Sequence, residues 1–451
     1  MKTFFTHDRI FYKTFFVMLL TIMLQNLIAY SVNMADNIML GSYSQTSLSA
    51  AATVNQIFFL VQQFALSIGD GLVILAAQYF GKKEFSPIRT LTGIALKFAF
   101  ICSLVFFTLC TVIPRQIISI FTKDELIITE GVEYLGLIKY TFILFILSSV
   151  LYCALRAVGV VRISFYISIV SLVVNVGINY VLIFGKFGFP EMGIKGAAIG
   201  TLVSRIIELS IITVYMLKTD TVLRLFSENF LRRNKELVKD FFKVDIPVML
   251  SQILWGISVP MQTAVLGHLS ADAIAANSVA TTFYSYLKVV TQSVSAAAGA
   301  VIGASVGRGN EEAVKAQGRT ISVIAIIIGL VLGAALFVLR TPLLTLYTLN
   351  DNAMRLADQL IMLMSLIMVT MSYQMPVSMG VIRGGGDTHF VVIMNIICVW
   401  GIVMPLTFMS AFWWHWPVVG VVLMIQIDQI IKCIPTFFKF RGYKWIRKLT
   451  R

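Results

Sequence analysis

Apolar runs of about twenty residues or more recur along the whole chain, separated by short polar stretches that carry most of its charge. Runs of that length match the hydrocarbon thickness of a bilayer. They predict twelve membrane-spanning helices, near 12–36, 47–80, 91–113, 132–155, 163–185, 193–217, 245–266, 273–305, 320–339, 356–382, 390–412 and 417–437. The first run is too long for a signal-peptide core and lacks a small-residue cleavage site, so it reads as a retained span. The connection between the sixth and seventh spans mixes Leu225, Phe226, Phe230, Leu231, Phe241 and Phe242 with Arg224, Arg232, Arg233 and Lys239. That mixture predicts an amphipathic helix lying on the membrane surface. The expected organisation is therefore an N-lobe over 1–217, a linker over 218–244 and a C-lobe over 245–451.

The two lobes are copies. MLQNLIAYSVNMADNIMLG (23–41) aligns with MLSQILWGISVPMQTAVLG (249–267), pairing Met23 with Met249, Leu24 with Leu250, Leu40 with Leu266 and Gly41 with Gly267. The same 226-residue offset brings Gly81 onto Gly307, and one residue more brings Arg156 onto Arg383. Six spans per copy give both copies the same orientation, with a pseudo-twofold axis along the membrane normal. Parallel repeats of this kind are a transporter plan, with a substrate site between halves that rock.

Composition strengthens the membrane reading: 58% of residues are hydrophobic and 13% charged, about half the charge of a soluble domain. The net charge of +14 does not point to nucleic acid, because its basic residues follow alternate loops. If both termini are cytoplasmic, the inner loops, the termini and the span ends beside them hold 26 of the 36 Lys and Arg, as the positive-inside rule requires. The expected location is the plasma membrane. The five cysteines show no paired spacing and the four histidines are isolated, so neither a disulfide framework nor a metal cluster is expected. No nucleophilic triad or phosphate-binding loop occurs, which argues against an enzyme, against direct ATP drive and against any cofactor. A monomer embedded in the lipid bilayer, taking small molecules as partners, is the expected state.

One carboxylate stands out. Asp36 lies 5 residues before Gly41, where the first span ends on the outer side. Asn175 and Asn179 lie 10 and 6 residues before Gly185 at the same side, and share a helix face by their i, i+4 spacing. Thr201 and Ser204 lie 8 and 11 residues after Gly193, and Asn55 and Gln56 lie 8 and 9 after Ser47. At 1.5 Å per residue all sit roughly 7–17 Å below the outer surface. A buried carboxylate costs several kcal/mol unless paired or neutralised. A proton would neutralise it, as would Na⁺ held by amide and hydroxyl oxygens. Asp36, Asn175, Asn179, Thr201, Asn55 and Gln56 are therefore the expected H⁺ or Na⁺ site. The repeat replaces Asp36 by Gln262, so the acid is not needed to build the helix.

Other polar groups in the spans divide by spacing. Arg205 with Glu208, and Asp428 with Lys432, read as structural ion pairs, and Asp70 between two glycines as a helix-bend residue or a gate. Lys288 has no evident partner and joins Gln252 and Gln262 as a candidate lining the substrate cavity. Trp413, Trp414 and Trp416 read as an interfacial belt. Pro260 and Pro376 mark kinks.

The first span ending in DNIMLG, AAATVNQI opening the second, AQYFG closing it and GGGDT after the tenth together resemble the MATE (multidrug and toxic compound extrusion) transporters. The resemblance runs over essentially the whole chain. It implies two six-helix lobes forming a V and export of amphiphilic, often cationic drugs in exchange for H⁺ or Na⁺ by alternating access. It also implies an ion-coupling acid at Asp36 with Asn and Thr neighbours on the fifth and sixth spans. Many members carry a further acid early in the seventh span and another in the eighth or tenth. Here Gln252 stands early in the seventh and no acid is expected within the other two, so coupling is expected from the N-lobe. Related lobes also flip lipid-linked sugar or peptide precursors, which is the alternative reading. A passive channel or membrane scaffold is the third.

Overall fold

A computed structural model describes residues 5–220, 222–224, 234–345, 347 and 350–451. Twelve of its helices are long and apolar enough to cross a membrane, and the described residues contain no strand beyond one isolated bridge between Gly386 and Ile446. The fold class is all-α and integral to the membrane. In chain order the helices are α1 (Arg9–Tyr43), α2 (Gln45–Gly81), α3 (Phe85–Val112), the short α4 (Pro114–Ser119), α5 (Glu125–Ala157), α6 (Arg162–Ile183) and α7 (Ile194–Lys218). They continue with α8 (Lys235–Gly267), α9 (Ala271–Arg308), α10 (Glu311–Leu344) and α11 (Asp351–Met375). The last two spans are Thr388–Trp413 and Val418–Arg441.

Polar caps explain why so apolar a chain breaks where it does. Ser44, Ser270, Asn310 and Asn350 each accept a hydrogen bond from a first-turn N–H of the helix they precede. Asp124 accepts two at the start of α5. Each satisfies donors that the helix itself leaves unpaired. Beyond Met375, α11 widens into a π-helical stretch over Pro376–Ile382, where the proline has no N–H to give the helical ladder. The expected kink at Pro376 is this widening.

The helices outrun the expected spans at most ends, and two differences matter. The seventh span was expected to open at 245, yet α8 begins at Lys235. Phe241 is fully buried and Phe242 meets Phe98 edge-on at 5.0 Å, so these two rings serve packing inside the protein rather than a surface helix. The other apolar positions of the expected amphipathic helix, Leu225, Phe226, Phe230 and Leu231, lie outside the described residues. Secondly, α9 and α11 do contain acids, Asp272, Asp351 and Asp358, which corrects the expectation of none. Asp351 stands in the first turn of α11, Asp272 accepts from Asn350 Nδ2 at 2.9 Å, and Asp358 pairs with Arg340 at 3.0 Å.

The chain divides into two compact units, Leu24–Met249 and Met1–Met23 with Leu250–Arg451. Both boundaries fall at equivalent positions of the repeat, because Met23 and Met249 are the residues the 226-residue offset pairs. Within Leu24–Met249, α2 packs along α5, and α6 along α7. The other unit has a core of α9 and α11, built on Tyr284, Met364, Met368 and Met371 with Val421 and Val422 from the last span.

Candidate functional site

Asp36 lies on the last two turns of α1, where the chain is about to cap α2 at Ser44. Its Oδ1 accepts a hydrogen bond from Asn179 Nδ2 of α6 at 2.5 Å. The same Nδ2 donates to Asn175 Oδ1 one turn earlier at 3.3 Å, and Asn175 Nδ2 donates to Thr201 Oγ1 of α7 at 3.3 Å. Four of the residues expected near one depth thus form a continuous hydrogen-bonded chain across three helices. Asn175 and Asn179 are buried, while Asp36 and Thr201 are partly accessible.

Small residues make this approach possible. A Cβ at Gly200 would overlap Asn179 Oδ1, so α7 has to present a glycine there for the amide to fit. Ser204, the fifth residue of interest on these helices, returns its hydroxyl to Gly200 O at 2.8 Å instead of joining the chain. Asn55 and Gln56 are exposed on α2, and among the described residues neither makes a hydrogen bond to this chain.

Charge surrounds the carboxylate. Arg205 of α7 is near enough to Asp36 to act on it electrostatically. It also pairs with Glu208 at 2.6 Å and stacks over the Phe145 ring at 4.9 Å. The expected ion pair is present, but its cation also contributes to the field at Asp36. Tyr134 of α5 is buried within range of the same carboxylate. Sequence spacing gave no signal for either relationship, because they join helices far apart in the chain.

The chemistry follows from the donors. Asp36 meets an amide N–H rather than an amide oxygen, which suits an ionised carboxylate. Asn179 Oδ1 is buried with no hydrogen-bond partner among the described residues. A half-turn of the amide would exchange the two atoms. Oδ1 would then accept a hydrogen bond from the O–H of a neutral Asp36, or serve as a hard oxygen ligand to Na⁺.

The other candidates lie in the unit that holds Leu250–Arg451. Gln252 and Gln262 of α8 are partly accessible, and no hydrogen bond joins either to another described side chain. Lys288 does have a neighbour: its Nζ lies 5.2 Å from the centre of the Trp255 ring. Asp428 and Lys432 are near enough to act on it electrostatically. These two form the expected ion pair at 2.8 Å, and Gln429 Nε2 donates to both Asp428 oxygens at 2.9 Å. Asp70 pairs with Arg156 of α5 at 3.1 Å, a partner that the bend reading did not foresee.

The chain resembles known proteins over nearly its full length. It is 25% identical over 437 residues to the probable multidrug resistance protein NorM of Thermotoga maritima, covering 95% of this chain and 92% of that one. It is also 25% identical over 377 residues to the probable multidrug resistance protein YoeA of Bacillus subtilis, covering 83% and 81%. The fold matches a crystallised Vibrio cholerae MATE transporter with a TM-score of 0.88 at 16% identity, covering 97% of this chain and 98% of that one. A MOP-superfamily transporter from Pyrococcus furiosus matches with a TM-score of 0.86 at 19% identity, covering 95% of each. The MatE sequence profile fits twice, at residues 21–181 and 247–409, and the two matches begin 226 residues apart, the offset of the internal repeat. Two copies of one profile on a twelve-helix membrane protein leave a single assignment: the chain belongs to the MatE family.

Proposed function

We propose that the chain is a secondary active exporter of the bacterial plasma membrane, moving amphiphilic and often cationic organic compounds outward in exchange for H⁺ or Na⁺. The observation that carries this reading is the hydrogen bond from Asn179 to Asp36, which gives a carboxylate set within apolar helices a partner able to follow its charge. The names of the relatives, multidrug resistance proteins, supply the cargo class. Both ions suit this geometry: a proton would bind a carboxylate oxygen of Asp36, and Na⁺ would take oxygens from Asp36, the asparagine amides and Thr201. Alternating access, with Asp36 exchanging its ion on one side and cargo leaving on the other, is the mechanism that the internal repeat supports.

Reconstitution tests this reading. Vesicles containing the full chain are given a pH gradient or a Na⁺ gradient separately, and uptake of a fluorescent organic cation is followed. Gradient-driven accumulation by the wild type, lost in Asp36→Asn, is the expected result. Equal accumulation without a gradient, or full activity in Asp36→Asn, would overturn it.

A further inference from the structure

A second carboxylate in the Leu24–Met249 unit is more completely enclosed than Asp36. Asp245 is fully buried on α8, and neither of its carboxylate oxygens has a hydrogen-bond partner among the described residues. Its position is set by α2, where a Cβ on Gly71 would overlap Asp245 Oδ1. The neighbouring residue of α2 is Asp70, whose carboxylate is within electrostatic range of Asp245 and is paired with Arg156 of α5 at 3.1 Å. Cys102 of α3 is within electrostatic range of Asp245, and Cys153 of α5 lies 3.5 Å from Arg156 Nη2. The cluster therefore holds two acids and one guanidinium, and the guanidinium is committed to Asp70.

Among the described residues an ionised Asp245 would have no hydrogen-bond donor and no cation of its own, beside a second negative charge. A metal cation is a poor solution, because among the described residues no cluster of metal-ligating side chains gathers there. A proton satisfies every term. Counted along α1 and α2, the cluster lies about 25 Å from Asp36 along the helix axes at 1.5 Å per residue. It sits towards the opposite end of the unit.

We propose that Asp245, held against Gly71 beside the Asp70–Arg156 pair, is a second proton-binding site, loaded while α8 packs on α2 and emptied when that packing opens. This goes beyond the exchange assigned to Asp36 and does not depend on it. Loading forms an O–H bond on one Asp245 oxygen; emptying returns that proton to water as the carboxylate becomes exposed.

The test is infrared spectroscopy of the full chain in lipid vesicles, reading the C=O stretch of protonated carboxyl groups, with proton uptake measured by titration. At neutral pH the wild type should show a protonated-carboxyl band that Asp245→Asn removes and Asp36→Asn keeps. Titrating Asp245→Asn should take up one proton fewer than wild type. Gly71→Ala, which pushes the carboxylate out of its niche, should lose the neutral-pH band and regain it only in acid. Size-exclusion elution and thermal midpoint near those of wild type establish that each variant is folded. A neutral-pH band indifferent to Asp245→Asn overturns the proposal, and so does a Gly71→Ala band unchanged in its pH dependence. Because transport is not the readout, these failures are distinct from failure of the exporter reading.

Discussion

Gly200 of α7 lies so close to Asn179 that a Cβ at position 200 would overlap the Asn179 side-chain oxygen, and Asn179 is the residue that donates to Asp36. Gly200→Ala therefore acts on Asp36 through one intermediate. Helix propensity gains ~1 kcal/mol from the substitution, and crowding costs about 1–3 kcal/mol. The thermal midpoint should fall by only a few degrees, while ion-driven cargo uptake drops roughly tenfold or more. Unchanged uptake would show that Asn179 need not sit where it does.

Asn179→Ala removes the donor itself. A hydrogen bond to a charged group contributes about 1.5–3 kcal/mol, equivalent to roughly a tenfold to hundredfold change in an equilibrium. Uptake rates measured against ion concentration should shift by that order. Asn175→Ala leaves the bond to Asp36 in place and should shift less, so the ratio between the two variants checks the order of the chain.

Lys288 over Trp255 places a positive charge on an aromatic face, worth about 0.5–2 kcal/mol. If this part of α9 meets cargo, Lys288→Met should raise the affinity for an organic cation several-fold, read by equilibrium binding of tetraphenylphosphonium. Trp255→Leu in that background should then add little. Additive effects of the two substitutions would show that the pair is uncoupled.

The buried Asp428–Lys432 pair is a stability element. Lys432→Met strands Asp428, a change that typically costs about 3–5 kcal/mol. Gln429 still donates to both Asp428 oxygens, so the loss measured by thermal unfolding in detergent should lie near the lower end of that range. The double variant Asp428→Leu with Lys432→Met should recover most of it.

Much of this protein can be read from its sequence for a physical reason: a membrane span has to be long and apolar, so twelve runs announce twelve helices. Asp36, Asn175, Asn179 and Thr201 were also legible, since distance from a helix end fixes depth. Depth alone does not fix the partners of a side chain: Asn55 and Gln56, at a similar expected depth, make no hydrogen bond to this chain among the described residues. Asp245 was not legible. It stands where the seventh span was expected to begin, an ordinary place for a solvated acid, and only the ten additional residues of α8 and the close approach of Gly71 enclose it. Arg156 with Asp70 escaped for a related reason, because a pairing between helices leaves no local spacing to read.

The central claim is that the carboxylate of Asp36 carries the exchanged ion, and the most direct test runs the exchange backwards. A gradient of organic cation is imposed on proteoliposomes at equal pH and Na⁺ on both sides, and the counter-movement of protons and of Na⁺ is followed with trapped pH and Na⁺ dyes. The wild type should move one of these ions against the cargo flow, and Asp36→Asn should bind the same cargo yet move neither. Cargo-driven ion movement of wild-type size in Asp36→Asn would contradict the account.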